Sequence, residues 1–263
     1  MRKVQTLSIL AGLLLASAGC HGKSAPVTGG SAGSASSQSV SAVASRGADR
    51  SPAADGGEQD ARPDMAATAR QGAAQQDDGR PVLVCFGDSL TAGLGTSAGQ
   101  SYPDYLQGDL DALGYRYRVV NEGVSGNTTK DGVARLPEVL ALKPQVAVVE
   151  FGGNDGLRGL RIEDSQANLD EIVRTLQSSG VKVALAGITL PPDYGEDYIG
   201  KFDAMYGAIA KRYRVRMLPF LLKDVYGVPG MMQQHETHAT SKGNAVVARN
   251  MLGLVRPLLR KQR

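Results

Sequence analysis

The tetrapeptide Gly87-Asp88-Ser89-Leu90 follows directly on the apolar run Val82-Leu83-Val84-Cys85-Phe86. An apolar run that breaks at glycine into a polar turn reads as a buried strand delivering its last residues to a surface. Open α/β sheets place their chemistry at the carboxyl ends of such strands, so Ser89 is a candidate nucleophile. A serine hydroxyl needs a base to take its proton and donors to receive the charge that develops on an attacked carbonyl oxygen. Two further polar, glycine-containing stretches offer donors. Asn121-Glu122-Gly123-Val124-Ser125-Gly126-Asn127-Thr128-Thr129 brings the Gly126 N–H, and Gly152-Gly153-Asn154-Asp155-Gly156 brings the Asn154 side-chain amide. With the N–H of Ser89 itself they would form an oxyanion hole for a tetrahedral acyl intermediate. The candidate bases are the three histidines, His21, His235 and His238. His238 stands in Gln234-His235-Glu236-Thr237-His238-Ala239-Thr240, far from Ser89 in sequence, which is no obstacle because a triad needs proximity in space.

These residues must be held by a framework, and the chain alternates strand and helix patterns. Apolar runs at 82–86, 117–120, 146–151, 181–188 and 215–218 read as strands. Helical spacing runs through 102–113, 129–142, 163–179, 198–213 and 241–259, and Gly114 and Gly180 stand where the first and third of these stop. Several strands are apolar throughout, which predicts a parallel sheet with helices on both faces. The expected class is α/β: a single flavodoxin-like domain with a five-stranded parallel sheet over residues 81–263, 183 residues and enough for one core. The three polar loops would then lie side by side on one edge. Asp88 reads as a turn-former that bonds nearby backbone, and Asp155 as a cap on the segment that follows it. His235, Glu236 and His238 do not match the H-E-x-x-H zinc spacing, and no third ligand stands out. No metal and no cofactor is implied.

The first 80 residues differ in kind. Arg2 and Lys3 precede a mostly apolar stretch over 7–16 that is too short to span a bilayer, and Ser17-Ala18-Gly19-Cys20 follows. This resembles the lipobox of bacterial lipoproteins, with Ser17 where that pattern prefers leucine. The expectation is a lipoprotein-type signal peptide over 1–20 and lipidation of Cys20, the alternative being an ordinary signal peptide cut near Ala18. His21 follows the cysteine, which by the same resemblance favours the outer membrane of a Gram-negative host. Residues 21–80 are rich in Gly, Ala, Ser, Gln and Asp with almost no large apolar side chains, so they read as a disordered tether. The chain would thus be exported and held to a membrane by an N-terminal lipid anchor. Of the two cysteines, Cys85 in the first strand reads as a small buried hydrophobe, so no disulfide is expected. A formal net charge of +3 is too small and scattered to imply a nucleic-acid partner.

Residues 81–263 as a whole resemble the SGNH (GDSL) hydrolase superfamily, nearest the bacterial thioesterase I, protease I and lysophospholipase group. Its four signature residues fall on Ser89, Gly126, Asn154 and His238. Leu157-Arg158-Gly159-Leu160 and Leu190-Pro191-Pro192-Asp193-Tyr194-Gly195 match segments that lie near the substrate loop in that family. The resemblance implies a monomeric serine esterase acting on carboxylic esters or thioesters, of short or medium acyl, aryl-ester or lysophospholipid type. Its alternatives are an acetyl esterase of cell-envelope carbohydrate and a non-catalytic lipoprotein that binds acyl chains or a partner. The chain departs from the family where the last block, Asp-x-x-His-Pro, should stand: His235 occupies the acid position and Ala239 replaces proline. Three readings compete: Glu236 is the orienting group, His238 works in a dyad steadied by a backbone carbonyl, or the domain is crippled. A fourth reading makes His235 the base and needs a shifted loop.

Overall fold

The apolar run of the first block becomes β1 (Val82–Gly87), and all six of its residues are buried. Burial on both sides of the pleat requires cover on both faces of the sheet. The computed structural model describes residues 78–261. The expected signal segment over 1–20, Cys20 and nearly all of the 21–80 tether lie outside the described residues.

Five parallel strands are ordered β2-β1-β3-β4-β5, with β2 at Arg118–Gly123, β3 at Val146–Glu150, β4 at Lys182–Ala186 and β5 at Arg216–Leu218. This is the doubly wound order whose switch point lies between β1 and β3, and it agrees with the flavodoxin-like expectation. The helices are α1 (Ser89–Ala92), α2 (Tyr102–Ala112), α3 (Thr129–Ala134), α4 (Leu136–Ala141), α5 (Gly153–Leu157), α6 (Ile162–Ser178), α7 (Glu196–Tyr213) and α8 (Ser241–Val255). Helix α2 packs with α8, while α3, α6 and α7 pack in a second group. Phe86 and Phe151 meet edge to face at 4.7 Å in the core between them.

Local chemistry fixes the ends of these elements. Ser101 and Asp104 form a reciprocal capping box on α2 with Pro103 in its first turn, and Thr128 with Asp131 does the same for α3. Gly180, at φ +80°, stops α6 and lets Val181 N–H reach back to the Leu176 carbonyl.

Three of the departures from the sequence pattern have an evident physical cause. The helix expected over 129–142 is two helices, α3 and α4, joined at Arg135. Pro137 has no N–H to bond the carbonyl of Val133, so it is accommodated only in the first turn of a new helix. The helix expected to reach residue 259 ends as α-helix at Val255 and tightens into a 3₁₀ turn at Arg256–Leu258, where Pro257 does the same. Strand β2 runs on through Asn121, Glu122 and Gly123, paired with Cys85, Phe86 and Gly87. On an edge strand, ladder bonds carry polar residues that an apolar pattern leaves out.

Candidate active site

Strand β1 ends at Gly87, where only glycine fits. A Cβ there would stand 2.2 Å from the Thr91 hydroxyl and 2.6 Å from the Glu150 carbonyl oxygen. Asp88 caps the short helix α1, its Oδ1 accepting from Leu90 N–H at 3.0 Å. This is the turn-forming role expected of it. Ser89 is therefore the first residue of a helix, and its N–H has no intrahelical acceptor. Its hydroxyl lies 2.9 Å from Nε2 of His238.

His238 reaches that point through a loop clamped at several places. Met232 and Ala239 form an antiparallel bridge, and Gln233 N–H bonds the His238 carbonyl at 2.9 Å. The Gln233 amide donates both to the carbonyl of Ala239 at 2.9 Å and to that of Leu94 at 2.8 Å, which ties the histidine loop to the turn after Ser89. Tyr105 on α2 and Ser241 at the start of α8 share a 2.6 Å hydrogen bond that holds the base of the loop. Gln233 carried no signal in the sequence, since a lone glutamine in a polar loop is ordinary.

The second loop brings in Gly126, at φ +81°, a left-handed conformation that glycine adopts without strain. Arg158 donates to the Gly126 carbonyl at 2.9 Å. Arg135 bonds the Asn127 side chain at 2.9 Å and the Glu122 carbonyl at 2.9 Å while its guanidinium lies 5.1 Å from the centre of the Phe86 ring. Among the described residues the N–H groups of Ser89 and Gly126 meet no protein acceptor, so both are free to donate to a ligand. The third donor differs. Asn154 Nδ2 donates to Asp88 Oδ2 at 3.1 Å and to the Asn127 carbonyl at 2.9 Å, so both of its hydrogens are engaged.

Asp155 does not cap the segment that follows it. It is buried and accepts from Thr129 N–H at 2.9 Å, the Thr129 hydroxyl at 2.5 Å and the Ser165 hydroxyl at 2.9 Å. It thereby fastens α5 to the starts of α3 and α6. The correction has a physical reason, because a carboxylate with no water must collect its donors from whichever elements surround it.

At the acid position the structure separates the expectations. His235 and Glu236 are exposed, Glu236 occupies a left-handed turn at φ +49°, and neither side chain hydrogen-bonds the His238 ring among the described residues. His238, not His235, faces Ser89. Partial burial, and then the proximity of His235, hold the His238 imidazole below the usual histidine range. A base must be unprotonated, so this shift favours the working form at neutral pH.

The loop 157–160 is tied to the segment that follows β4. Tyr194 and Tyr198 donate to the carbonyls of Leu157 at 2.9 Å and Leu160 at 2.8 Å, and these two leucines stay exposed. Burial pushes the Cys85 thiol up to about 12, so it is a core side chain here and no nucleophile.

Comparison with known proteins gives the family of the chain. The family described as GDSL-like Lipase/Acylhydrolase matches residues 85–246. "Esterase TesA" of Pseudomonas aeruginosa is 42% identical over 179 residues, covering 68% of this chain and 89% of that protein. "Thioesterase 1/protease 1/lysophospholipase L1" of Escherichia coli K12 is 35% identical over 179 residues, covering 68% of this chain and 85% of that protein. The crystal structure of TesA superposes with a TM-score of 0.66, covering 68% of this chain and 99% of that one.

Proposed function

The chain belongs to the GDSL-like lipase/acylhydrolase family and hydrolyses esters, and from that premise we propose that Ser89 and His238 carry the reaction as a dyad. The observation that supports this is the 2.9 Å approach of the Ser89 hydroxyl to His238 Nε2. Nε2 takes the hydroxyl proton as Ser89 Oγ attacks the ester carbonyl, and the carbonyl oxygen becomes an oxyanion. The N–H groups of Ser89 and Gly126 receive that charge, and Asn154 joins them by releasing the Asn127 carbonyl. Each such donor is worth roughly 3–4 kcal/mol in the transition state. The imidazolium then returns its proton to the leaving alcohol or thiol as the C–O or C–S bond breaks. Water attacks the acyl-serine by the same route, leaving a carboxylic acid and free Ser89.

Leu94, Leu157 and Leu160, in the segments that follow Ser89 and Asn154 along the chain, are exposed and offer apolar surface to an acyl or aryl group. That surface, and the names of the relatives, support short and medium acyl, aryl-ester and lysophospholipid substrates. The N-terminal pattern extends the proposal: Cys20 carries lipid, residues 21–80 tether the domain, and the monomer works outside the cytoplasm at a membrane. The test of the reaction is hydrolysis of a p-nitrophenyl acetate-to-octanoate series, in which Ser89→Ala leaves only background rate. Turnover that survives in Ser89→Ala would refute the assignment. Incorporation of labelled palmitate that disappears in Cys20→Ser checks the anchor.

A further inference from the structure

Glu150, the last residue of β3, lies beneath the Ser89 turn, and the dyad mechanism gives it no role. It is fully buried, and Asp88 beside it at the end of β1 is 2% exposed. Glu150 Oε2 accepts from the Thr91 hydroxyl at 2.7 Å and from Asp88 N–H at 3.4 Å. With its proton given to Glu150, Thr91 Oγ1 accepts from the Tyr102 hydroxyl at 3.1 Å. Glu150 Oε1 is buried and accepts from no donor among the described residues. A bare buried carboxylate oxygen is costly, and two adjacent buried carboxylates cannot both ionise cheaply. One proton on Oε1 resolves both problems.

We propose that Glu150 is a positioning residue for the Ser89 turn: it stays protonated, donates from Oε1 to the Asp88 carboxylate, and leaves Asp88 as the single charge of the pair. Asp88 then holds Leu90 N–H with one oxygen and one hydrogen of the Asn154 amide with the other, as a charge-assisted bond. The second Asn154 hydrogen, on the Asn127 carbonyl, remains the one that turns to the oxyanion. Burial first and the Asp88 charge second push the Glu150 carboxyl well above its usual range, and the contact between the two side chains favours neutral Glu150 and ionised Asp88. Burial pushes Asp88 itself up to about 6, so it is charged at pH 8. Among the described residues, the groups that bear most on the pair are acids, phenols and a thiol: Asp155 opposes ionisation of Asp88, and Tyr102, Tyr206 and Cys85 are held neutral by burial. His238 lies beyond, across Ser89. The positioning role rests on Ser89 as nucleophile, whereas the placement of the proton does not.

Infrared spectra and pH–rate profiles of the full chain test the two parts separately. At pH 8 a protonated-carboxyl C=O band is expected in the parent and absent in Glu150→Gln. No such band in the parent, or one that persists in Glu150→Gln, overturns the proton assignment whatever the activity does. Glu150→Gln keeps a donor toward Asp88, so its kcat for p-nitrophenyl butyrate and the acid limb of its profile should match the parent. Glu150→Leu removes the donor. Its kcat should fall on the order of 10- to 100-fold with KM held, as for a small misplacement of reacting groups. Its acid limb should move to higher pH, because Asp88 loses the contact that favours its charged form. A Glu150→Gln enzyme that is slow, or a Glu150→Leu enzyme with an unmoved limb, overturns the positioning role. If Glu150→Leu does not fold, the Glu150→Gln profile decides it. Should Ser89→Ala retain activity, the nucleophile reading falls while the infrared result stands on its own.

Discussion

For His238 to accept the Ser89 proton on Nε2, its own proton must sit on Nδ1. In serine hydrolases with a complete triad a carboxylate on Nδ1 enforces that tautomer and steadies the imidazolium, and replacing it by an amide lowers kcat about 10⁴-fold. Here the acid position holds His235, which does the reverse, since its proximity adds to burial in lowering the basicity of His238. His235→Asp should therefore raise kcat/KM, with roughly 10⁴-fold as the ceiling. The acid limb of the profile should move upward as well, because a carboxylate favours imidazolium and the lowering influence is gone. His235→Ala should move the limb without the gain in rate. A kcat/KM profile on p-nitrophenyl butyrate distinguishes these, and an unchanged His235→Asp enzyme would show that the loop does not aim position 235 at Nδ1. Gly126 permits a second test. A Cβ there would meet only the Arg158 guanidinium, at 3.8 Å, so Gly126→Ala introduces backbone strain and no clash. At φ +81° that strain costs about 1–2 kcal/mol. Urea unfolding should show a loss of that size, with a lower kcat if the loop relaxes and turns its N–H away.

At the scale of elements, Asp155 joins three helices through one carboxylate. Asp155→Ala would strand Thr129 N–H in the interior and release two hydroxyls, and an unsatisfied buried group costs about 1–3 kcal/mol. A destabilisation near ~3 kcal/mol in urea unfolding is expected, whereas a change under ~0.5 kcal/mol, as at an ordinary surface site, would contradict the structural role. That carboxylate also marks where sequence reasoning stops. Helical and strand periods locate the elements, because burial of Leu169, Ile172 and Val173 or of Val146–Val149 is written into their spacing. The loops bearing Ser89, Gly126 and Asn154 are legible because turn residues follow each strand directly. Long-range polar partners are not written locally. Nothing near Asp155 indicates that its donors are Thr129 and Ser165, and nothing near Gln233 indicates Leu94. Pro137 and Pro257 were visible, yet the apolar period runs across both, so the pattern hid the breaks. Glu150 did leave a mark, as a lone acid at the end of the run Val146-Ala147-Val148-Val149.

Across the whole molecule, the carboxyl edge of the sheet concentrates buried acids, and that arrangement sets how stability depends on pH. Asp88 is raised from an ordinary 3.8 to about 6 by burial, and Glu150 is raised well above its ordinary range by burial and by Asp88. A group whose folded-state pKa is raised binds more protons folded than unfolded, so the free energy of unfolding falls as pH rises. The Asp88 contribution is complete below its unfolded value and is lost as pH rises to about 6. That of Glu150 is likewise complete below its unfolded value, and its loss continues to higher pH, until the medium passes its raised folded value. Glu150→Gln removes the second titration while keeping the shape and the donor. Urea midpoints of the parent should therefore fall relative to those of Glu150→Gln as the pH is taken from neutral into the alkaline range, while Asp88 gives both proteins the same decline on the acid side. Parallel curves at alkaline pH would mean that Glu150 takes up no more protons folded than unfolded there. A parent that instead gained on the variant as pH rises through the ordinary range of a glutamate would mean that folding lowers the Glu150 pKa, so that the Ser89 turn rests on two charges and not one.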